Sequence, residues 1–147
     1  MSSHSSRGLI DPRSLHILIV EDNLINQRVL RAALQKAGCT VHVANDGLEA
    51  LSFLSTTEFT TPATGIPLSV ILMDLEMPNM DGLTCVKEIR KMEDDKSIVK
   101  HVPVIAVTAN VRDEQVASAR ESGMDDVVNK PFRIQDLLIK IEALLKG

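Results

Sequence analysis

Short apolar runs that never alternate recur along this chain, and the best defined stop on a polar or charged residue. Ile17-Leu18-Ile19-Val20 stops at Glu21-Asp22, Val70-Ile71-Leu72-Met73 at Asp74, and Val104-Ile105-Ala106-Val107 at Thr108. A strand with one wet face alternates, whereas an unbroken run must be covered on both faces, as in a parallel sheet between helix layers. Strands are expected at 16–20, 40–44, 68–73, 103–107 and 127–128. Helical spacing fills the gaps between them. Asn23 can cap a helix whose apolar positions include Ile25, Val29, Ala33 and Leu34, closed by Gly38. Asp46 precedes a short helix carrying Leu48, Leu51 and Leu54. After a loop at 56–67 and the third strand, Pro78-Asn79-Met80-Asp81-Gly82 turns the chain into a helix over 83–92. A sparsely apolar helix over 112–122 ends at Gly123, and a strongly amphipathic one carries Ile134, Leu137, Leu138, Ile141, Leu144 and Leu145. Five βα units of this kind predict an α/β, doubly wound, flavodoxin-like sheet of order 2-1-3-4-5 with five helices.

At 147 residues the chain suits one domain, with 15–147 as its extent and the Ser-rich 1–14 as a flexible linker or non-native remnant. Hydrophobic residues make up 44% but aromatics only 2%, so Val, Ile, Leu and Ala must fill the core. A net charge of −4 argues against nucleic acid as a partner, because phosphate backbones call for clustered Lys and Arg. Cys39 and Cys85 have no CxxC or metal-ligand spacing and read as free thiols in a reducing compartment. No apolar stretch approaches the ~18 residues of a membrane span, and no secretory signal opens the chain. The expectation is a soluble, cytoplasmic protein without membrane contact, the nucleus being left open.

In a sheet of this order, sites form beyond the carboxyl ends of the strands, where strands one and three diverge. Glu21, Asp22 and Asp74 fall there, joined by Thr108 and Lys130 from later strand ends. Clustered carboxylates repel and are tolerated only near a cation or with raised pKa values, and an oxygen-only donor set completed by water and phosphate favours Mg2+. Asp22 and Asp74 would ligate the ion, Glu21 would act through water, and the backbone carbonyl of Glu76 would complete the protein's share. The free oxygen of Asp74 can then attack a phosphoryl group while Lys130 and Thr108 hold its oxygens.

These motifs resemble the receiver (response-regulator) domain of two-component phosphorelays. The resemblance runs from Leu15 to Leu145 and rests on Ile17-Leu18-Ile19-Val20-Glu21-Asp22-Asn23, Ile71-Leu72-Met73-Asp74-Leu75-Glu76-Met77-Pro78, Val104-Ile105-Ala106-Val107-Thr108-Ala109-Asn110 and Lys130-Pro131-Phe132. The wording Met-Asp-Leu-Glu-Met-Pro is most like receivers of fungal-type hybrid histidine kinases. The resemblance implies that Asp74 is the phosphoacceptor, Glu21 and Asp22 the acidic pair, Thr108 the switch hydroxyl and Lys130 the phosphate-binding lysine. Ala109, Val127 and Pro131 take switch and structural positions, with a cis bond before Pro131. Glu76 and Asn110 would tune the phosphate's lifetime. The implied partner is a histidine kinase or histidine-phosphotransfer protein, met by a monomer that docks through its first helix and the loops around Asp74. Such a chain is not expected to be an enzyme by itself, beyond assisting its own phosphorylation and dephosphorylation, although a parent hybrid protein could be a histidine kinase. The chain stops after its fifth helix, so a stand-alone or excised receiver is expected. One departure stands out: many receivers have Tyr or Phe three residues before the lysine, and Val127 cannot swing between rotamers as an aromatic does.

Each residue also has a plainer explanation when taken alone. Asp74 and Glu21-Asp22 could be helix caps, Thr108 a packing residue and Lys130 a solvated lysine; Glu76 and Asn110 could simply face water. His4, His16, His42 and His101 lack ligand spacing and read as structural or surface residues. The charged stretch 93–101 reads as a solvated loop, and the 112–122 helix as a weakly packed element suited to movement or docking. A flavodoxin-type cofactor site is rejected, because Glu21-Asp22 would repel phosphate where a Gly/Ser/Thr-rich loop is needed. A haloacid-dehalogenase phosphatase is disfavoured because Glu76, on the third strand, stands where a second Asp is required. The remaining alternative is a phosphorylation-independent receiver-like interaction module, which would be expected to have lost an acid or the lysine.

Overall fold

Parallel pairing organises the molecule. β1 (His16–Val20) lies between β2 (Thr40–Ala44) and β3 (Val70–Asp74); β3 pairs with β4 (Val104–Thr108), which pairs with β5 (Asp126–Asn129). The order is 2-1-3-4-5, as expected from the unbroken apolar runs. The computed structural model describes residues 10–75, 77, 80–109 and 112–146. Register places Val20 beside Met73, Asp74 beside Val107 and Thr108 beside Asn129, so the carboxyl ends of four strands share one edge. Asp74 and Thr108 are themselves the last residues of their strands, one position further than expected for each strand.

Helices α1 (Leu24–Lys36), α2 (Gly47–Leu54), α3 (Gly82–Asp94), α4 (Asp113–Ser122) and α5 (Ile134–Lys146) complete the two covering layers. Strand side chains point alternately to the two faces. Leu18, Val20, Ile71, Met73 and Ala106 pack with α2, α3 and α4 residues such as Leu54, Val86, Ile89 and Ala119. Ile17, Ile19, Leu72, Ile105 and Val107 pack with Leu34 of α1 and Leu137 and Ile141 of α5. Side-chain caps start three helices: Asn23 accepts from the Asn26 amide at 2.9 Å, Asp46 from Glu49 at 2.9 Å and Asp81 from Thr84 at 2.7 Å. Gly123 ends α4 at φ +114°, a left-handed conformation that side chains disfavour.

Three expectations need correction. In α1, Ile25 and Val29 are 71% and 66% exposed, while Leu34 is buried, and so is the polar Gln27. Helical spacing identifies a stripe, but not which of two neighbouring stripes faces the sheet. Leu48 of α2 is likewise exposed, its helix burying Gly47, Ala50 and Leu54 instead. The segment 93–101 is not merely solvated. Ile98 is buried, and Glu93 and His101 join Arg90 and Asp125 in an ionic network.

At the other terminus, Pro12–Ser14 forms a 3-10 turn capped by Asp11, and the Ile10 amide donates to Glu142 Oε2 of α5 at 2.6 Å. Residues 1–9 of the expected linker lie outside the described residues, as do Pro78 and Asn79 of the expected turn. Among the described residues, no helix is long and apolar enough to cross a membrane.

Candidate functional site

The site is assembled at the sheet edge by strand ends. Glu21 and Asp22 follow β1 directly, Asp74 ends β3, Thr108 ends β4, and Lys130 follows β5. Ligand oxygens of Glu21, Asp22 and Asp74 all lie within 4.8 Å of one another. Glu21, Asp74 and Thr108 are buried, whereas Asp22 is exposed. The Lys130 ammonium reaches Glu21 Oε1 at 3.2 Å, and the Lys130 amide donates to the Thr108 carbonyl at 2.9 Å. The fold thus brings together five of the sequence-predicted residues. The Lys130-Pro131 peptide is cis, as expected. Glu76 and Asn110 lie outside the described residues.

Burial pushes the Glu21 carboxyl up, but the Asn23 amide on Oε2 at 3.1 Å and the Lys130 ammonium outweigh it, leaving Glu21 below the ordinary carboxylate range. Glu21 is therefore held as an anion. Three carboxylates at this spacing, all hard oxygen donors with one exposed to solvent, fit a divalent cation such as Mg2+. Close approach on the other side requires a glycine. A Cβ at Gly82 would stand 2.5 Å from the Asp74 carbonyl oxygen, so the turn into α3 can pass tightly behind the site.

Beside the acids lies a cavity of about 530 Å³, lined by Val29, Leu30, Phe132 and Ile134 with Asp74 and Lys130. Leu24, Ile25 and Val29 of α1 are exposed, and Val29 lines this cavity. Val127 is half-buried against the opposite layer, and Ala109 is exposed just past Thr108.

Sequence reasoning missed two polar side chains. Buried Gln27 donates through Nε2 to the Glu21 carbonyl and to Asn45 Oδ1, the latter at 2.7 Å. Asn45 in turn donates its amide and Nδ2 to Glu49 Oε1, both at 2.9 Å. A glutamine on the 27-30-34 stripe of a helix was the available signal, since only a partnered polar group belongs on a packed face.

A family profile described as the response regulator receiver domain matches residues 17–142. The chain is 33% identical over 125 residues to transcription factor SKN7 of Saccharomyces cerevisiae, which covers 85% of this chain and 18% of that protein. It therefore spans under a fifth of that relative's length, and histidine kinases stand among the other relatives. Two solved structures share the architecture. One is the receiver domain of a sensor histidine kinase of Pseudomonas aeruginosa with a magnesium ion coordinated in its active site cleft. It is 31% identical with a TM-score of 0.74, the match covering 90% of this chain and 98% of that one. The other is the receiver domain of the Saccharomyces cerevisiae response regulator Ssk1, co-crystallised with the histidine phosphotransfer protein Ypd1. It is 29% identical with a TM-score of 0.75, covering 90% and 89%.

Proposed function

The chain belongs to the response regulator receiver domain family, and from that premise we propose that it accepts a phosphoryl group from a phosphohistidine onto Asp74 in a magnesium-dependent reaction. The gathering of Glu21, Asp22 and Asp74 beside Lys130 at one sheet edge carries this proposal. When bound, magnesium would neutralise and orient the phosphoryl oxygens. Asp22 and Asp74 would hold it directly, Glu21 through water, and the Glu76 carbonyl would complete the protein's set. An Asp74 oxygen forms the new P–O bond as the P–N bond to the donor imidazole breaks, and that nitrogen keeps the electron pair. Lys130 pairs with an equatorial oxygen and Thr108 donates to another. Glu76 and Asn110 would tune the lifetime of the product.

The exposed α1 residues Leu24, Ile25 and Val29, with the adjoining apolar cavity, form the surface on which the phosphodonor or phosphoacceptor partner docks to the monomer. A neighbour solved with a histidine phosphotransfer protein supports that choice of partner. The switch runs through Thr108, Ala109 and α4, whose buried residues are limited to Ala119 and Ser122. Val127 is a packing residue and contributes no rotamer swing.

Acetyl phosphate or a phosphohistidine donor, with magnesium, is expected to add one acid-labile phosphoryl group to the wild type and none to Asp74→Asn. Intact-mass analysis reads this directly. Equal labelling of both proteins would refute Asp74 as the acceptor.

A further inference from the structure

Asp22 is the exposed member of the acidic group, so little side-chain packing is available to set its position. Its backbone, however, is tethered. The Glu21 amide donates to the Ala44 carbonyl at 3.1 Å, and the carbonyl of Glu21, which is the oxygen of the Glu21-Asp22 peptide, accepts from Gln27 Nε2. The same Nε2 donates to Asn45 Oδ1, and Asn45 is braced by Glu49 in the first turn of α2. The orientation of the Gln27 amide is dictated by its partners. One is a carbonyl, and Asn45 must turn its own NH2 toward the Glu49 carboxylate, so both groups facing Gln27 are acceptors. A buried glutamine satisfied by arbitrary acceptors would serve packing alone. This one joins the peptide between two site acids to the β2–α2 loop.

We propose that Gln27 is a positioning residue for the acidic pair, its amide clamping the Glu21-Asp22 peptide to Asn45 so that both carboxylates are preset at metal-binding distance from Asp74. The proposal rests on those three acids holding magnesium. Without the clamp, the peptide gains freedom that must be lost again on binding, so affinity falls even if the fold survives. Asp22 should be affected most, since it has the least packing of its own.

The test is Mg2+ affinity of the full chain, followed by titration of backbone amide NMR signals, for the wild type, Gln27→Met, Asn45→Ala and the double variant. Met matches the length of Gln without its donors. Leu34→Ala, a core truncation on the same helix, is the control for lost stability. The expected result is a dissociation constant raised about 5- to 10-fold in Gln27→Met, raised in the same direction in Asn45→Ala, and not multiplied further in the double variant. Leu34→Ala should lower thermal stability and leave Mg2+ affinity unchanged. Should Gln27→Met fail to fold, Asn45→Ala carries the same comparison. Wild-type affinity in the clamp variants, or equal weakening in Leu34→Ala, overturns the positioning role alone. A wild type that does not bind Mg2+ overturns the metal site itself, and the clamp with it.

Discussion

Two charged clusters occupy opposite ends of the same sheet, and they are built in opposite ways. At the amino-terminal ends of β4 and β5, Arg90 donates to the carbonyls of Gly123 and Val102 at 3.0 and 2.8 Å and pairs with Glu93 at 2.5 Å and Asp125 at 3.0 Å. Those carboxylates also accept the Val102 and Val104 amides, each at 2.8 Å, and bracket His101. Charge and hydrogen bonding there are closed within the chain. At the carboxyl ends, Glu21, Asp22 and Asp74 gather at metal-binding spacing, and Lys130 pairs with Glu21. The first cluster is a finished joint between α3 and the sheet. The second presents three hard oxygen donors at a spacing that fits a divalent cation from solution.

The comparison predicts opposite signs for removing a charge. Arg90→Met takes the guanidinium from between two partly buried carboxylates and should cost about 3 kcal/mol in urea unfolding, the loss expected when one partner of a buried pair is removed. A change within about 0.5 kcal/mol, ordinary for a surface substitution, would show that the joint is not one. Asp22→Asn should instead stabilise the metal-free protein, since like charges about 4 Å apart repel by about 1 kcal/mol in a water-like dielectric. Magnesium at tenfold its dissociation constant should add about 1.4 kcal/mol to the wild type by mass action and much less to this variant. Thermal unfolding with and without magnesium reads both effects.

A smaller effect concerns groups with no closing partner. His16 Nδ1 and His42 Nε2 are buried without hydrogen-bond partners among the described residues, their rings 6.3 Å apart. Burial, then the neighbouring His16, lowers the His42 pKa below the ordinary 6.5. The unfolded chain therefore binds a proton more readily than the folded one, so stability is lost as pH falls from about 6.5 toward the folded value. His42→Phe should flatten that slope in denaturant titrations run across the window. An unchanged slope would remove His42 as its cause. The smallest change in stability is expected for Ile25→Ser, within about 0.5 kcal/mol, because the side chain is already in water. Binding to a histidine-phosphotransfer protein should nevertheless weaken measurably in calorimetry. Unchanged binding would move the docking surface off this part of α1.

Local signals made the acidic site readable in advance. Apolar runs stopping at Glu21-Asp22, Asp74 and Thr108 identify strand ends, and parallel order brings strand ends to one edge. The cap at Asn23 and the glycine at 123 were readable for the same reason, since each acts within one turn of its own residue. The Arg90 network was not. Its members lie on α3, in the following loop and before β5, and carry no common motif. Ile25, Val29 and Leu48 misled because hydrophobicity records an affinity for apolar surroundings without saying whether the protein's own core or a partner supplies them.

Covalent order alone thus determined which elements form and, to within about two residues, where they end, because strand periodicity, capping and turn chemistry are short-range. Only tertiary packing decided which stripe of α1 faces the sheet, that Gln27 reaches both the Glu21 carbonyl and Asn45, and that Arg90 reaches Asp125 from a distant segment. Those outcomes depend on the relative placement of whole elements, where a shift of one residue along a helix rotates every side chain by about 100°.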